Sequence, residues 1–498
     1  MRRKLSACLV ASLALVAGGA AAQTPAKPRV VVTTDPELDD SNSLLRYLLN
    51  STDFQTEGLI YASSQFHWKG DGKGTTWFVA GREYDRNGRK VCPCTHWRWG
   101  EGERFVDDAV EAYEKAYPNL KVHDPRYPTP AVLKSKIRWG NVEFDGDMSK
   151  ETDGSKLIEQ LLLDDKPGPI YLLAWGGQST IGRALKSIKD RYEGRPEWPT
   201  IRAKVSKKAI IQAFGDQDNV YEKYIKPNWP EIEFRQMSTQ TYGYGARNAV
   251  QPEDRLYLTA DWMRQNVSSR GPIGAHYRVW GDGKRMAKDD PTDYFGEVGK
   301  TADQLRAEGF WVWTAPQDQG SWISEGDTST LMNLLDNGLR GYRDASWGGW
   351  GGRNAVDVGP DGPKPAYASA RWFGAAQRDL AAKLVWATTP SFKAANHPPV
   401  VKAAGAVDRT VKPGETVRLA ATASDPDGDK LTYRWWRYDD ADTYSGAVTL
   451  ENPGALNASV KVPGDVRPGE TIHLILEVSD GGTPSLTRYQ RIVLRAAA

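Results

Sequence analysis

The chain has 498 residues, with 65 Lys and Arg against 63 Asp and Glu and a formal net charge of +2 at pH 7. That balance excludes the basic footprint of a nucleic-acid or anionic-membrane binder. Three cysteines exclude a fold built on disulfides, so a packed core must hold the chain together.

In chain order, Arg2, Arg3 and Lys4 precede an apolar run at 9–18, and Ala20, Ala21 and Ala22 offer a small-residue cleavage site. Residues 1–22 therefore read as a secretory signal, which predicts export to the periplasm or beyond. Cys8 precedes the apolar run, which argues against a lipid anchor, and no later stretch approaches 18 uninterrupted apolar residues, so no membrane span is expected. In an exported protein, exposed tryptophan suits stacking on sugar rings, and the rest of the 19 tryptophans are expected in the core.

The β-branched run Val30, Val31, Val32, Thr33, Thr34 reads as a buried strand, and it empties into Asp35, Pro36, Glu37, Leu38, Asp39 and Asp40. Carboxylates at that density leaving a buried strand suit a hard cation, Ca²⁺ or Mg²⁺. The plainer alternative makes Asp35 an N-cap, with Pro36 opening a helix over 41–49 and the other acids complementing its dipole.

Strand-like and helix-like runs then alternate: strands at 56–62, 170–174 and 209–214, and helices at 106–116, 154–163, 180–189 and 219–226. Such alternation predicts an α/β fold with a mostly parallel sheet flanked by helices. Cys92 and Cys94, separated by one proline, suggest a local disulfide more than a metal pair, because no second pair or suitably spaced histidine group accompanies them. The linker 393–399 carries Pro398 and Pro399 and divides a domain over 23–395 from a tail over 396–498. Short alternating runs in the tail, such as 431–436, predict an all-β sandwich of immunoglobulin or cadherin type. Within it, Pro413 to Leu419 recurs as Pro468 to Leu474, a turn feeding a strand each time. The acidic turn 424–429 resembles that of cadherin-like and polycystic-kidney-disease-like modules, and it reads first as a polar turn demanded by the backbone.

Several segments taken together resemble the nucleoside hydrolases. Asp35 to Ser41 is similar to the aspartate signature around that family's catalytic Ca²⁺, with Thr33 where its first aspartate stands. Residues 174–181 resemble a turn whose backbone carbonyl also binds the ion, here that of Trp175. Ser324, Glu325, Gly326 and Asp327 fall where the family has a His-Asp pair, so Asp327 matches the last calcium aspartate and the acid histidine is missing. That departure, with 215–218 and the Gly- and Trp-rich run 347–353, resembles the exported bacterial cellulose-binding proteins. These carry a nucleoside-hydrolase-like domain followed by a β-sandwich, and the likeness covers essentially the whole mature chain.

The resemblance implies a Ca²⁺ held by Asp35, Asp40, the Trp175 carbonyl and Asp327, with Asp35 as the base toward a bound water and Asp39 holding a sugar hydroxyl. Glu325 is the candidate acid for the leaving group, and its competing role is support of a neighbouring loop. Asp216, Gln217 and Asp218 follow a strand, and belong on the same rim if the sheet is parallel; they suit sugar hydroxyls or, alternatively, a helix start. Gln65 and His67 follow another strand, where the nucleoside hydrolases place a sugar-binding Asn. Trp350, in its glycine-rich loop, suits a stacking lid or a rigid turn. No serine elbow and no phosphate-binding glycine loop is present in the sequence.

The expectation is an exported Ca²⁺-dependent hydrolase of glycosyl bonds, N-glycosyl or furanosidic or oligosaccharide, acting on a carbohydrate or glycoside substrate such as plant cell-wall polysaccharide. The alternative is a non-catalytic, cellulose-type carbohydrate-binding protein on a nucleoside-hydrolase scaffold. A purely structural role ranks third.

Overall fold

The structure is a computed structural model that describes residues 27–85, 90–237, 240–288 and 290–498; the expected signal at 1–22 lies outside the described residues. Six strands form one parallel sheet: β1 (Arg29–Thr34), β2 (Gln55–Tyr61), β3 (Ile137–Trp139), β4 (Ile170–Ala174), β5 (Ala209–Ala213) and β6 (Glu233–Gln236), in the order β3-β2-β1-β4-β5-β6. β1 lies at the centre, paired through Thr34 with Tyr61 of β2 and through Thr33 with Ala174 of β4. Every residue of β1 is buried, as a strand covered on both faces requires, and this explains its unbroken β-branched run.

The pleat divides the core into two layers. Val30 and Val32 face Leu44, Leu45 and Leu48 of α1 (Leu38–Leu49) and Val106 and Val110 of α2 (Phe105–His123). Val31 faces the opposite layer, packing with Ile158 of helix Asp153–Leu163 and Ile181 of helix Ser179–Tyr192. β3 and β6 carry no run long enough to read as strands; they are three and four residues long at the two sheet edges. Residues 240–345 hold only short helical turns joined by loops, with no strand among the described residues. Among the described residues, no helix is long and apolar enough to cross a membrane.

Helix Phe373–Thr388 is followed by a β-rich region built from facing sheets. Its four-stranded sheet runs Asp408–Val411, Thr487–Ala496, Thr471–Ser479, Thr432–Arg437, and a second sheet holds Thr416–Leu419, Ala458–Lys461 and Leu450–Glu451. Leu419, Val460, Leu474, Leu476 and Ile492 fill the space between. The repeated turns are built alike: Glu415 accepts the Lys412 N–H at 2.8 Å and Glu470 accepts the Arg467 N–H at 2.7 Å. In the acidic turn, Asp425 Oδ1 accepts the N–H groups of Asp427 and Asp429 at 2.9 and 3.1 Å, as a backbone-driven turn does. Cys92 and Cys94 are joined in a disulfide.

The glycine-rich loop faces the β-rich region. Trp347 packs edge-on to His473 at 5.1 Å, with the Arg340 and Arg491 guanidinium groups over its ring at 5.0 and 5.5 Å. Trp350 is 1% exposed and meets Tyr489, so it is a junction residue, and the structure does not place it over a cleft. Of the tryptophans, Trp139 and Trp313 are exposed, at 40% and 52%, and most of the others are core.

Candidate functional site

In an open parallel sheet, ligands collect at the carboxyl ends of the strands where the strand order reverses, and β1 between β2 and β4 is that point. Asp35 follows β1, Gln65 and His67 follow β2, Trp175 follows β4, and 216–218 follow β5, all on one rim. The segment 324–327 closes over it: Ser324 donates to Asp39 Oδ2 at 3.1 Å and its carbonyl accepts from Asn42 of α1 at 2.9 Å.

Asp35, Asp39, Asp40 and Asp327 are all buried. α1 starts at Leu38, and neither carboxylate oxygen of Asp35 accepts a backbone N–H, so Asp35 does not cap the helix. Asp40 Oδ1 accepts Thr34 Oγ1 at 2.6 Å and the Asp35 N–H at 3.1 Å. Asp39, Asp35 and Asp40 all act on the Asp327 carboxyl, whose Oδ1 meets no hydrogen-bond donor. Burial pushes Asp39 up to about 6 against the downward pull of the Ser324 hydroxyl, with a smaller upward push from the charge of Asp35. Burial first, and then neighbouring carboxylates, raise Asp40, Asp327 and Glu37 as well. His67 Nδ1 lies 3.2 Å from Asp35 Oδ1.

Two close packings leave no room for side chains larger than glycine. A Cβ on Gly176 would lie 2.6 Å from Asp35 Oδ2, and one on Gly326 2.3 Å from Asp39 Oδ2. The loops after β4 and before 327 therefore press directly on the carboxylates.

The residues present fit a hard divalent cation. Buried oxygens with no hydrogen-bond donor include both of Asp35, Asp39 Oδ1, Asp327 Oδ1, Gln65 Oε1 and Gln217 Oε1. Ligand atoms of Asp35, Glu37 and His67 lie within 4.8 Å of one another, as do those of Glu37, Asp39 and Asp40. Mutually repelling carboxylates whose lone pairs meet no donor suit an ion that takes six to eight oxygens.

The remaining expected residues fall in different places. The Trp175 carbonyl accepts Gln217 Nε2 at 2.7 Å, and its indole donates to Thr330 Oγ1 at 2.8 Å. Asp39, Gln65, Asp216, Gln217 and Asp327 line a cavity of about 340 Å³ together with Phe66, Phe214 and Tyr244. Asp218 is turned away from it: its Oδ2 accepts the N–H groups of Gln178 and Ser179 at 2.7 and 2.8 Å, capping the helix that follows β4. Burial, Asp145 and Asp216 raise Asp218 to about 8. Glu325 lies outside the cavity, in a buried ion pair with Arg46 of α1, and accepts Tyr277 OH at 2.5 Å and Thr328 Oγ1 at 2.9 Å. Its oxygens are taken up by Arg46, Tyr277 and Thr328, which fits its loop-supporting alternative. Glu37 is the site carboxylate that a dipole reading passes over; its position inside the acidic run is the available signal. Tyr244 and Phe66 come from segments with no periodicity.

Fold and crevice together define a nucleoside-hydrolase-like α/β protein with an acidic, metal-capable cluster and a β-rich tail. Residues 29–354 match the nucleoside hydrolase-like domain of the cellulose-binding Sde182 family, and residues 416–496 match the C-terminal domain of cellulose-binding protein Sde0182; the chain belongs to this family. A solved structure from Saccharophagus degradans, a nucleoside hydrolase-related hypothetical protein associated with carbohydrate metabolism, is 25% identical with a TM-score of 0.68, over 94% of this chain and 100% of that one. The solution structure of the PKD domain from KIAA 1837 protein covers 19% of this chain and 87% of its own at 20% identity, with a TM-score of 0.15, too low to carry an argument. No curated protein matches the chain.

Proposed function

We propose that this chain is an exported carbohydrate-binding protein that takes a cellulose-derived sugar in the cavity beside its acidic cluster, with Ca²⁺ held by Asp35, Asp40 and Asp327. The single observation that carries the reading is the set of buried, donor-free oxygens of Asp35, Asp39 and Asp327, of which Asp39 and Asp327 line a cavity with aromatic and amide walls. When bound, the cation supplies coordination positions for two neighbouring hydroxyls and offsets the charge of the carboxylates. Asp39 Oδ1, Gln65 and Gln217 accept or donate hydrogen bonds to the sugar rim, while Phe66, Phe214 and Tyr244 cover its C–H faces. The family's cellulose-binding character and the signal-like start of the chain support the ligand class and the export.

Glycosyl-bond hydrolysis is the second reading, and one contact favours it: Asp35 stands beside His67 with no other partner, as a base toward water would. Against it, Glu325 is committed to Arg46, and the family's acid histidine is absent from the sequence. The test is depletion of the protein by microcrystalline cellulose, with sugar release assayed in parallel. Binding in calcium and its loss in chelator or in Asp35→Ala, without sugar release, is expected; unchanged binding in chelator would sink the proposal. Release that vanishes in Asp35→Ala would establish the hydrolytic reading instead.

A further inference from the structure

A second cavity of about 330 Å³ adjoins the first and shares Glu37, Phe66 and Tyr244 with it as common walls. Its far side is built from Trp313, Phe295, Arg98, Asp290 and Thr292. We propose that this outer cavity is a second sugar subsite, so that the cleft takes two or more linked units of a neutral β-1,4-glucan; this rests on the carbohydrate-binding reading of the inner cavity.

The outer walls have the parts that recognise a pyranose. Trp313 is 52% exposed, yet it stands on a fixed base: Tyr244 meets it edge-on at 4.8 Å and Phe295 at 5.8 Å, over the buried Trp280 and Tyr294. A large exposed indole on a rigid mount is a ready stacking face. The units of a β-1,4-glucan carry equatorial hydroxyls and so present flat C–H faces to such a ring, with hydrogen-bonding groups around the edge. Tyr244 and Trp313 cross at 84°, so they form no parallel slot of the kind that sandwiches a planar nucleobase.

Polar groups lining the same cavity are held in place. Arg98 sits at φ 47°, in the left-handed region that favours glycine. Its guanidinium lies over Trp97 at 4.9 Å and 3.3 Å from Asp290, whose Oδ1 accepts Thr292 Oγ1 at 2.7 Å. Donor and acceptor are thus fixed side by side, as neighbouring sugar hydroxyls require. Glu37, Glu83, Asp290 and Asp293 also line the cavity against Arg98 and His67, which disfavours uronic acids and phosphorylated ligands.

The experiment is calorimetric titration of glucose, cellobiose, cellotriose and adenosine into the full chain in calcium buffer, with wild type, Trp313→Ala and Trp313→Phe. Wild type should bind cellobiose roughly tenfold more tightly than glucose. Trp313→Ala should remove that gain while leaving glucose affinity unchanged, and Trp313→Phe should restore part of it. Calcium-dependent glucose binding with no gain for cellobiose, or an equal loss for both sugars in Trp313→Ala, would overturn the subsite alone. Adenosine binding more tightly than cellobiose would also overturn it, and failure of wild type to bind any of the glucans would overturn it together with the reading on which it rests.

Discussion

A chain ending at residue 396 is expected not to fold. The β-rich region does not hang from the sheet on a linker; Tyr438, Ile475 and Tyr489 belong to the same core cluster as Val30, Leu44 and Trp175. Tyr489 packs on Trp350 and Trp372, and its N–H donates to the Asn337 carbonyl at 2.8 Å, while Arg491 N–H reaches the Gly338 carbonyl at 3.1 Å. Partly buried ion pairs Arg371–Asp440 and Arg488–Asp379 cross the same junction. Truncating one buried aromatic to alanine typically costs about 3–5 kcal/mol, and the deletion removes several at once against a total stability of about 5–15 kcal/mol. The truncated chain should be insoluble, or should lack a cooperative thermal transition by near-UV circular dichroism. A fragment melting within a few degrees of the full chain would show that the junction contributes little. The same reasoning means that loss of cellulose binding on deletion cannot assign binding to the β-rich region.

Arg46→Met is expected to destabilise the chain by about 3–5 kcal/mol, the usual cost of leaving a buried charge without its partner. Arg46 is 1% exposed inside α1 and Glu325 is 0% exposed. The guanidinium donates twice to Glu325 and also to Gln377 Oε1 at 2.6 Å and the Ala376 carbonyl at 3.2 Å, tying α1, the 324–327 segment and helix Phe373–Thr388 together. Removing both charges in Arg46→Met/Glu325→Met should recover most of the loss, because the pair's desolvation cost disappears with it. Denaturant unfolding of the single and double variants measures this. A loss under about 1 kcal/mol for Arg46→Met would mean that the pair is open to solvent.

Much of the sheet is legible in the sequence because central parallel strands must be apolar on both faces. β1, β2, β4 and β5 show this as continuous runs, whereas β3 and β6 are too short and too exposed to leave a pattern. The acidic run is legible because strand end and helix start are adjacent in the chain, so Asp35, Asp39 and Asp40 are bound to meet. The Arg46–Glu325 pair spans 279 residues and has no local signal, which is why the sequence leaves Glu325 between an acid and a loop support, whereas packing pairs it with Arg46. Trp350 is left open between a lid and a rigid turn because glycine and tryptophan say nothing about which surface the loop meets. Tyr244, Asp290, Thr292 and Trp313 come from irregular backbone, where neither a period of 3.6 nor one of 2 exists to reveal a buried face.

Calorimetric titration of Ca²⁺ into the chelated full chain, at pH 7.5 and pH 5, tests the cation site most directly. The folded chain holds Asp39 up to about 6 from 3.8, and Asp40 and Asp327 are raised too. A raised folded value means that these groups favour folding below their unfolded values, and that this contribution is lost as pH climbs through the folded ones. The chelated chain should therefore be less stable at pH 7.5 than at pH 5, and Ca²⁺ should restore it. Protons compete for the same oxygens, so binding should be near one ion per chain at pH 7.5 and weaker at pH 5. It should be lost in Asp35→Ala/Asp40→Ala and kept in Asp425→Ala, which disrupts the acidic turn of the β-rich region. No heat of binding at pH 7.5, or binding that survives Asp35→Ala/Asp40→Ala and disappears in Asp425→Ala, would contradict a cation at the strand rim.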